Sequence, residues 1–141
     1  TIVYGSIHGH TAKAAKIMQK MLEDRGQKVE IFDLARDDMA EAIECAYRYD
    51  KLVIATVTYD AGVFPVVEDF VYHLKLKNYQ KRTVGIIQNG SWGPVAGKKV
   101  KESLETLKDI KIVDPMVTIR SALKEGNLTA MEALADALVA K

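Results

Sequence analysis

The sequence predicts an α/β domain: a doubly wound, five-stranded parallel sheet in the order 2-1-3-4-5, with helices on both faces. Strand-like and helix-like segments alternate from end to end, as in a chain of βαβ units. The strand segments are short and rich in Val and Ile, the composition of strands buried on both faces. The loops Gly5–Thr11, Val57–Pro65 and Asn89–Gly97 all fall after strands and are rich in Gly, Ser, Thr, Asn, Asp and aromatic residues. Connections on the other side, such as Arg25-Gly26-Gln27, are shorter and plainer, so one sheet edge is marked as functional.

The strands are expected at Thr1–Tyr4, Lys28–Phe32, Lys51–Thr56, Thr83–Gln88 and Lys111–Val113, the last continued by Met116–Ile119. The first helix buries Ala14, Ile17, Met21 and Leu22, and Gly26 stops it. A shorter helix lies around Asp38–Tyr47. A third starts at Pro65, a favoured first helical position, and buries Val66, Phe70, Val71 and Leu74. The fourth uses Ala96, Val100, Leu104 and Leu107, and the last Leu128, Met131, Leu134 and Leu138.

The length of 141 residues suits one domain with a sizeable core. A net charge of +1 and dispersed lysines give no support to a nucleic-acid partner. No apolar run reaches the roughly 20 residues of a membrane span. The single cysteine, Cys45, forms no internal disulfide and reads as packing; a cytoplasmic location is expected. The chain begins inside its first strand without Met, which favours a domain cut from a longer protein.

The first loop, Gly5-Ser6-Ile7-His8-Gly9-His10-Thr11, runs from a strand into a helix. Free backbone N–H groups and the positive helix end make such a junction a phosphate site. Ser6 and Thr11 offer hydroxyls, Gly9 allows close backbone approach, and His8 and His10 add N–H donors. The blander reading is a helix cap with two exposed histidines. No Cys or carboxylate cluster accompanies them, so no metal site is expected. In the second loop Tyr59 offers a flat face and Gly62 unusual backbone freedom, while Phe64 and Pro65 read as core and helix start. In the third, Asn89-Gly90-Ser91-Trp92-Gly93, the only tryptophan is a stacking platform or a packing residue. A phosphate site beside two aromatic loops suits a flat heterocycle on a phosphorylated stem, such as FMN. The chain has no Gly-x-x-x-x-Gly-Lys-Ser/Thr run and no Gly-x-Gly-x-x-Gly after the first strand.

Tyr4-Gly5-Ser6 with Gly9 and Thr11, Thr58-Tyr59 with Gly62-Val63-Phe64-Pro65, and Asn89-Gly90-Ser91-Trp92 together resemble the flavodoxin-like domain of flavodiiron proteins (A-type flavoproteins). The resemblance covers essentially the whole chain. It implies noncovalent FMN, with the phosphate held by Ser6, Ile7, His8, Gly9, His10 and Thr11. The isoalloxazine would lie between Thr58, Tyr59, Asp60, Ala61 and Gly62 on one side and Asn89, Gly90, Ser91, Trp92 and Gly93 on the other. It also implies a place in the C-terminal part of a larger protein, and a head-to-tail homodimer. A di-iron, metallo-β-lactamase-like domain would take electrons from rubredoxin or an NAD(P)H-linked flavin reductase, by way of FMN, to oxygen or nitric oxide. None of the di-iron ligand pattern is in this chain, and no catalytic side chain is nominated.

The second loop departs from the family's Ser-Pro-Thr-Tyr-Asn, reading Thr56-Val57-Thr58-Tyr59-Asp60. A carboxylate at Asp60 would lower the flavin potential by like-charge repulsion, and Asp60→Asn is expected to raise it. A free-standing flavodoxin, a flavin-dependent NAD(P)H or quinone reductase, and a docking module without cofactor remain the other readings.

Overall fold

A computed structural model describes residues 1–6, 9–59, 62–90, 95–120 and 124–140, with Tyr59 described by its backbone only. The order of elements is β1 (Ile2–Tyr4), α1 (His10–Asp24), β2 (Ile31–Asp33), α2 (Met39–Arg48), β3 (Lys51–Tyr59), β4 (Gly62–Val63), α3 (Pro65–Leu76), β5 (Arg82–Asn89), α4 (Ala96–Leu104), β6 (Ile110–Ile112), β7 (Val117–Ile119) and α5 (Glu125–Val139). The sheet runs β2-β1-β3-β5-β6, with β4 antiparallel on β3 and β7 parallel on β5. Among the parallel strands this is the expected doubly wound succession.

Two details differ from the five expected strands, since the sheet has seven. The second loop folds back as β4, pairing Tyr59 with Gly62 and Thr58 with Val63. The last strand is interrupted: β6 pairs with Arg82–Val84 of β5 and β7 with Ile87–Asn89. Pro115 lies in the gap, where it has no N–H to give a ladder.

Side chains alternate across the sheet and define two cores. Ile2, Tyr4, Val53, Ala55 and Ile87 face α1 and α5, against Ala14, Met18, Met131, Leu134 and Leu138. Val3, Leu52, Ile54, Val84 and Ile86 face α2, α3 and α4, against Ile43, Phe70, Leu74, Val100 and Leu104. Gly85 lets α5 approach closely: a Cβ there would sit 3.1 Å from Leu134 Cδ1.

The helix ends follow local chemistry. Gly26, at φ +84°, closes α1, with its N–H donating to Glu23 and that of Gln27 to Leu22. These are the two bonds of a Schellman motif. Asp38 caps α2 by accepting from the Ala40 N–H at 2.9 Å. Cys45 is buried, with its Sγ 2.9 Å from Thr1 Oγ1.

Some core assignments shift by a residue. Ile17 and Val66 are half-buried, while Met18 and Val67 take the innermost places. Leu107 falls beyond α4 and is half-buried. Leu128 is exposed; the first turn of α5 is held instead by Asn127 Nδ2, which donates to the Thr118 carbonyl at 3.0 Å. Among the described residues no helix is long and apolar enough to cross a membrane.

Candidate functional site

The end of β1, the β3–β4 hairpin and the end of β5 lie on adjacent strands at the carboxyl edge of the sheet. This is where open α/β sheets bind ligands. Ser6, Gly9, His10 and Thr11 sit at the first position, Thr58 and Gly62 at the second, Asn89 and Gly90 at the third. Ile7, His8, Asp60, Ala61, Ser91, Trp92 and Gly93 lie outside the described residues.

The helix N-termini differ in how their first N–H groups are used. Asp38 caps α2, and Glu41 adds an acid to its first turn. Helix α3 starts on Pro65, carries Glu68, and bonds the Val67 and Glu68 N–H groups to the Phe64 carbonyl. Glu125 stands in the first turn of α5. The N-terminus of α4 is capped by neighbouring strands. Thr58 Oγ1 accepts from the Val95 and Ala96 N–H groups at 3.0 and 3.1 Å, and Gln88 Oε1 accepts from the Gly97 N–H at 2.9 Å.

Only α1, among the described residues, has neither an acid in its first turn nor a side-chain cap. Its N-cap, Gly9, adopts φ +83°, a left-handed conformation with open space around the missing Cβ. The Gly9 N–H donates to Ser6 Oγ at 3.0 Å, which tightens the loop. The backbone donors of the first α1 turn therefore face a position suited to an anion. Thr11 is buried and His10 exposed at that turn. Ser6 Oγ already serves as acceptor within the loop, which the sequence did not indicate.

Gly5 joins the first two loops. A Cβ at Gly5 would lie 2.9 Å from both Phe64 Cδ2 and Val67 Cγ2, so glycine lets the start of α3 pack directly on the end of β1. Its N–H continues the ladder to the Ala55 carbonyl at 3.1 Å. Beside it, burial, then Asp33 and Asp37, push the Tyr4 phenol above its usual pKa.

The third loop stands on a polar network that sequence reading missed. Buried Gln88 bonds Gly97 through Oε1 and donates from Nε2 to Thr118 Oγ1 at 3.0 Å. A Cβ at Gly97 would meet Met116 Sδ at 2.6 Å and the Gln88 amide at 2.9 Å. The signal was available as two amide side chains, Gln88 and Asn89, at the end of an apolar strand, because a buried amide requires partners. Asn89 is buried beside it, and the Gly90 N–H donates to the Ile119 carbonyl at 3.0 Å.

Known proteins agree with this architecture. The chain is similar to the rubredoxin:oxygen oxidoreductase of Desulfovibrio gigas (16% identity, TM-score 0.88) over 97% of its own length and 34% of that chain. The flavodiiron protein of Giardia intestinalis is similar over 96% of this chain and 34% of its own (16% identity, TM-score 0.84). An oxidised flavodoxin from Bacillus cereus is similar over 98% of this chain and 95% of its own (12% identity, TM-score 0.85). The chain thus spans about a third of the two larger proteins. No curated protein matches it by sequence.

The family model described as Flavodoxin matches residues 2–133, and flavodoxins bind FMN and act in electron transfer. The residues fit that group: the uncapped, acid-free start of α1 and the left-handed Gly9 suit a phosphate, and the two neighbouring loops stand beside it on the same edge. From its first strand into its last helix, the chain belongs to the flavodoxin family.

Proposed function

We propose that this flavodoxin-type FMN domain relays electrons from rubredoxin or an NAD(P)H-linked flavin reductase to a di-iron, metallo-β-lactamase-like oxygen or nitric oxide reductase domain, fused or in a partner subunit, in the cytoplasm. The observation that carries this reading is the charge balance of 20 basic against 19 acidic residues. A carrier that diffuses between basic partners gains encounter rate and specificity from a strongly acidic face. A domain that hands electrons to a tethered neighbour does not need one. The likeness to the rubredoxin:oxygen oxidoreductase and to the flavodiiron protein supports the same choice.

When bound, FMN supplies reversible one- and two-electron chemistry. The protein binds and orients it. Residues Ser6 to Thr11 would hold the phosphate, through the backbone N–H groups of the first α1 turn, which has neither an acid nor a side-chain cap. Residues Thr58 to Gly62 and Asn89 to Gly93 would enclose the ring, Tyr59 and Trp92 supplying flat faces that exclude water. No side chain need act as an acid or base.

The test has two stages. The apo-protein is titrated with FMN, following fluorescence quenching and reversible anaerobic reduction. The reduced protein is then mixed with a flavodiiron core that lacks its flavin domain. Saturable binding, then oxygen or nitric oxide consumption at a rate nearly independent of salt, is expected. FMN binding without transfer to the core would instead mark a free-standing flavodoxin. Steady NAD(P)H turnover by the chain alone would mark a reductase.

A further inference from the structure

We infer that Thr58 is a positioning residue: its hydroxyl ties the end of β3 to the start of α4, the two elements that flank the proposed flavin site, before any cofactor arrives. The inference rests on FMN binding at that site. Thr58 lies where β3 turns into its hairpin, paired with Val63. Its Oγ1 reaches across to α4 and accepts from Val95 and Ala96, residues 37 and 38 positions away.

The bonding capacity of the hydroxyl makes this assignment specific. A threonine hydroxyl has two acceptor lone pairs and one donor hydrogen. Both lone pairs are taken by α4 N–H groups, and only the O–H remains. Thr58 can therefore meet a ligand only as a donor, and its acceptor side belongs to the scaffold. Val95, the N-cap of α4, has no polar side chain with which to do the job itself. Gln88 uses up the next N–H from the adjacent strand.

The consequence is mechanical. The end of β3 and the start of α4 cannot separate without breaking both bonds. Holding the two elements together in advance lowers the ordering cost of binding a planar ring beside them. A change in their spacing would change the setting of the ring, and so its potential.

The test compares Thr58→Val, which keeps the shape and removes the acceptor, with Thr58→Ser, which keeps the acceptor. Thr58→Val is expected to bind FMN about tenfold more weakly, the effect of one lost cap. It is also expected to shift the midpoint potential and the visible flavin spectrum, and Thr58→Ser should restore all three. A lower melting temperature with unchanged affinity, potential and spectrum would overturn the inference, because it would reduce Thr58 to a stabilising residue. Amide hydrogen exchange of the wild-type apo-protein provides a check that needs no variant. The Val95 and Ala96 amides should be protected without FMN, and exchange at the rate of open amides would overturn the brace. Should the wild type bind no FMN, the cofactor reading falls, while the exchange measurement still judges the brace.

Discussion

The acid-free N-terminus of α1, which has no side-chain cap, makes a prediction in which one substitution acts with opposite signs on the apo and FMN-bound protein. His10 is the first residue of α1, exposed, in a first turn without acids. His10→Glu places a carboxylate there. In the apo-protein it opposes the positive helix end and stabilises by about 0.5 kcal/mol. For a domain of this size that raises the melting temperature by about 1–2 °C. With FMN bound, the same carboxylate faces a phosphate monoester carrying a charge of roughly −2. At about 7 Å and an effective dielectric constant of about 40, the repulsion is ~2 kcal/mol. That corresponds to about 30-fold weaker binding. The assay is a fluorescence-quenching titration at low ionic strength beside calorimetry of the apo-protein, with His10→Gln as the uncharged control. Near 1 M salt the screening length falls to about 3 Å, and the gap between the two variants should close. Equal FMN affinity of the two at low salt, in the face of a stabilised apo-protein, would refute the placement of the phosphate at α1.

Other perturbations test the scaffold. Gly97→Ala should destabilise the domain by about 1–3 kcal/mol, because the new methyl overpacks Met116 and the Gln88 amide; the urea midpoint reads this, and an unchanged midpoint would contradict the close approach. Burial is the main cause that raises the Tyr79 phenol well above its ordinary pKa, and its hydroxyl donates to the Ala46 carbonyl at 3.2 Å. A pKa raised on folding means stability that is present below the unfolded value of about 10 and lost as pH rises beyond it. Tyr79→Phe should therefore cost about 1 kcal/mol at neutral pH yet lose less stability above it. Tyr4 and Tyr47 shift the same way and remain in the variant, so the alkaline slope in pH-dependent unfolding should shrink rather than vanish.

Much of the fold was legible because it follows from local periodicity. The Val- and Ile-rich runs became the parallel strands, and Gly26, Asp38 and Pro65 end, cap and start helices by properties each carries alone. The misplacements share a cause. Leu128 has the right spacing for the α5 stripe, but tertiary contacts decide where a stripe begins to be covered, and Asn127 rather than Leu128 anchors that turn. The hairpin at Gly62–Val63 is too short to leave a period. The candidate loops could be located because they carry more glycine, hydroxyl and aromatic residues than a tight connection such as Arg25-Gly26-Gln27 needs. How each residue serves them could not be read, since that depends on partners distant in sequence.

The sequence by itself determined the α/β class, the candidate functional edge and a first loop whose composition suits a phosphate, because secondary structure, turn chemistry and the polarity of a helix end are properties of neighbouring residues. Only the tertiary structure decided which helix N-terminus is capped by side chains from neighbouring strands. Composition treats α1 and α4 alike, as two helices entered from Gly-rich loops without a first-turn acid. What separates them is Thr58 and Gln88, which reach from β3 and β5 to take the first donors of α4, whereas among the described residues α1 has no side-chain cap. A backbone N–H can be spent only once, and which group takes it is settled by residues that meet only when the sheet has formed.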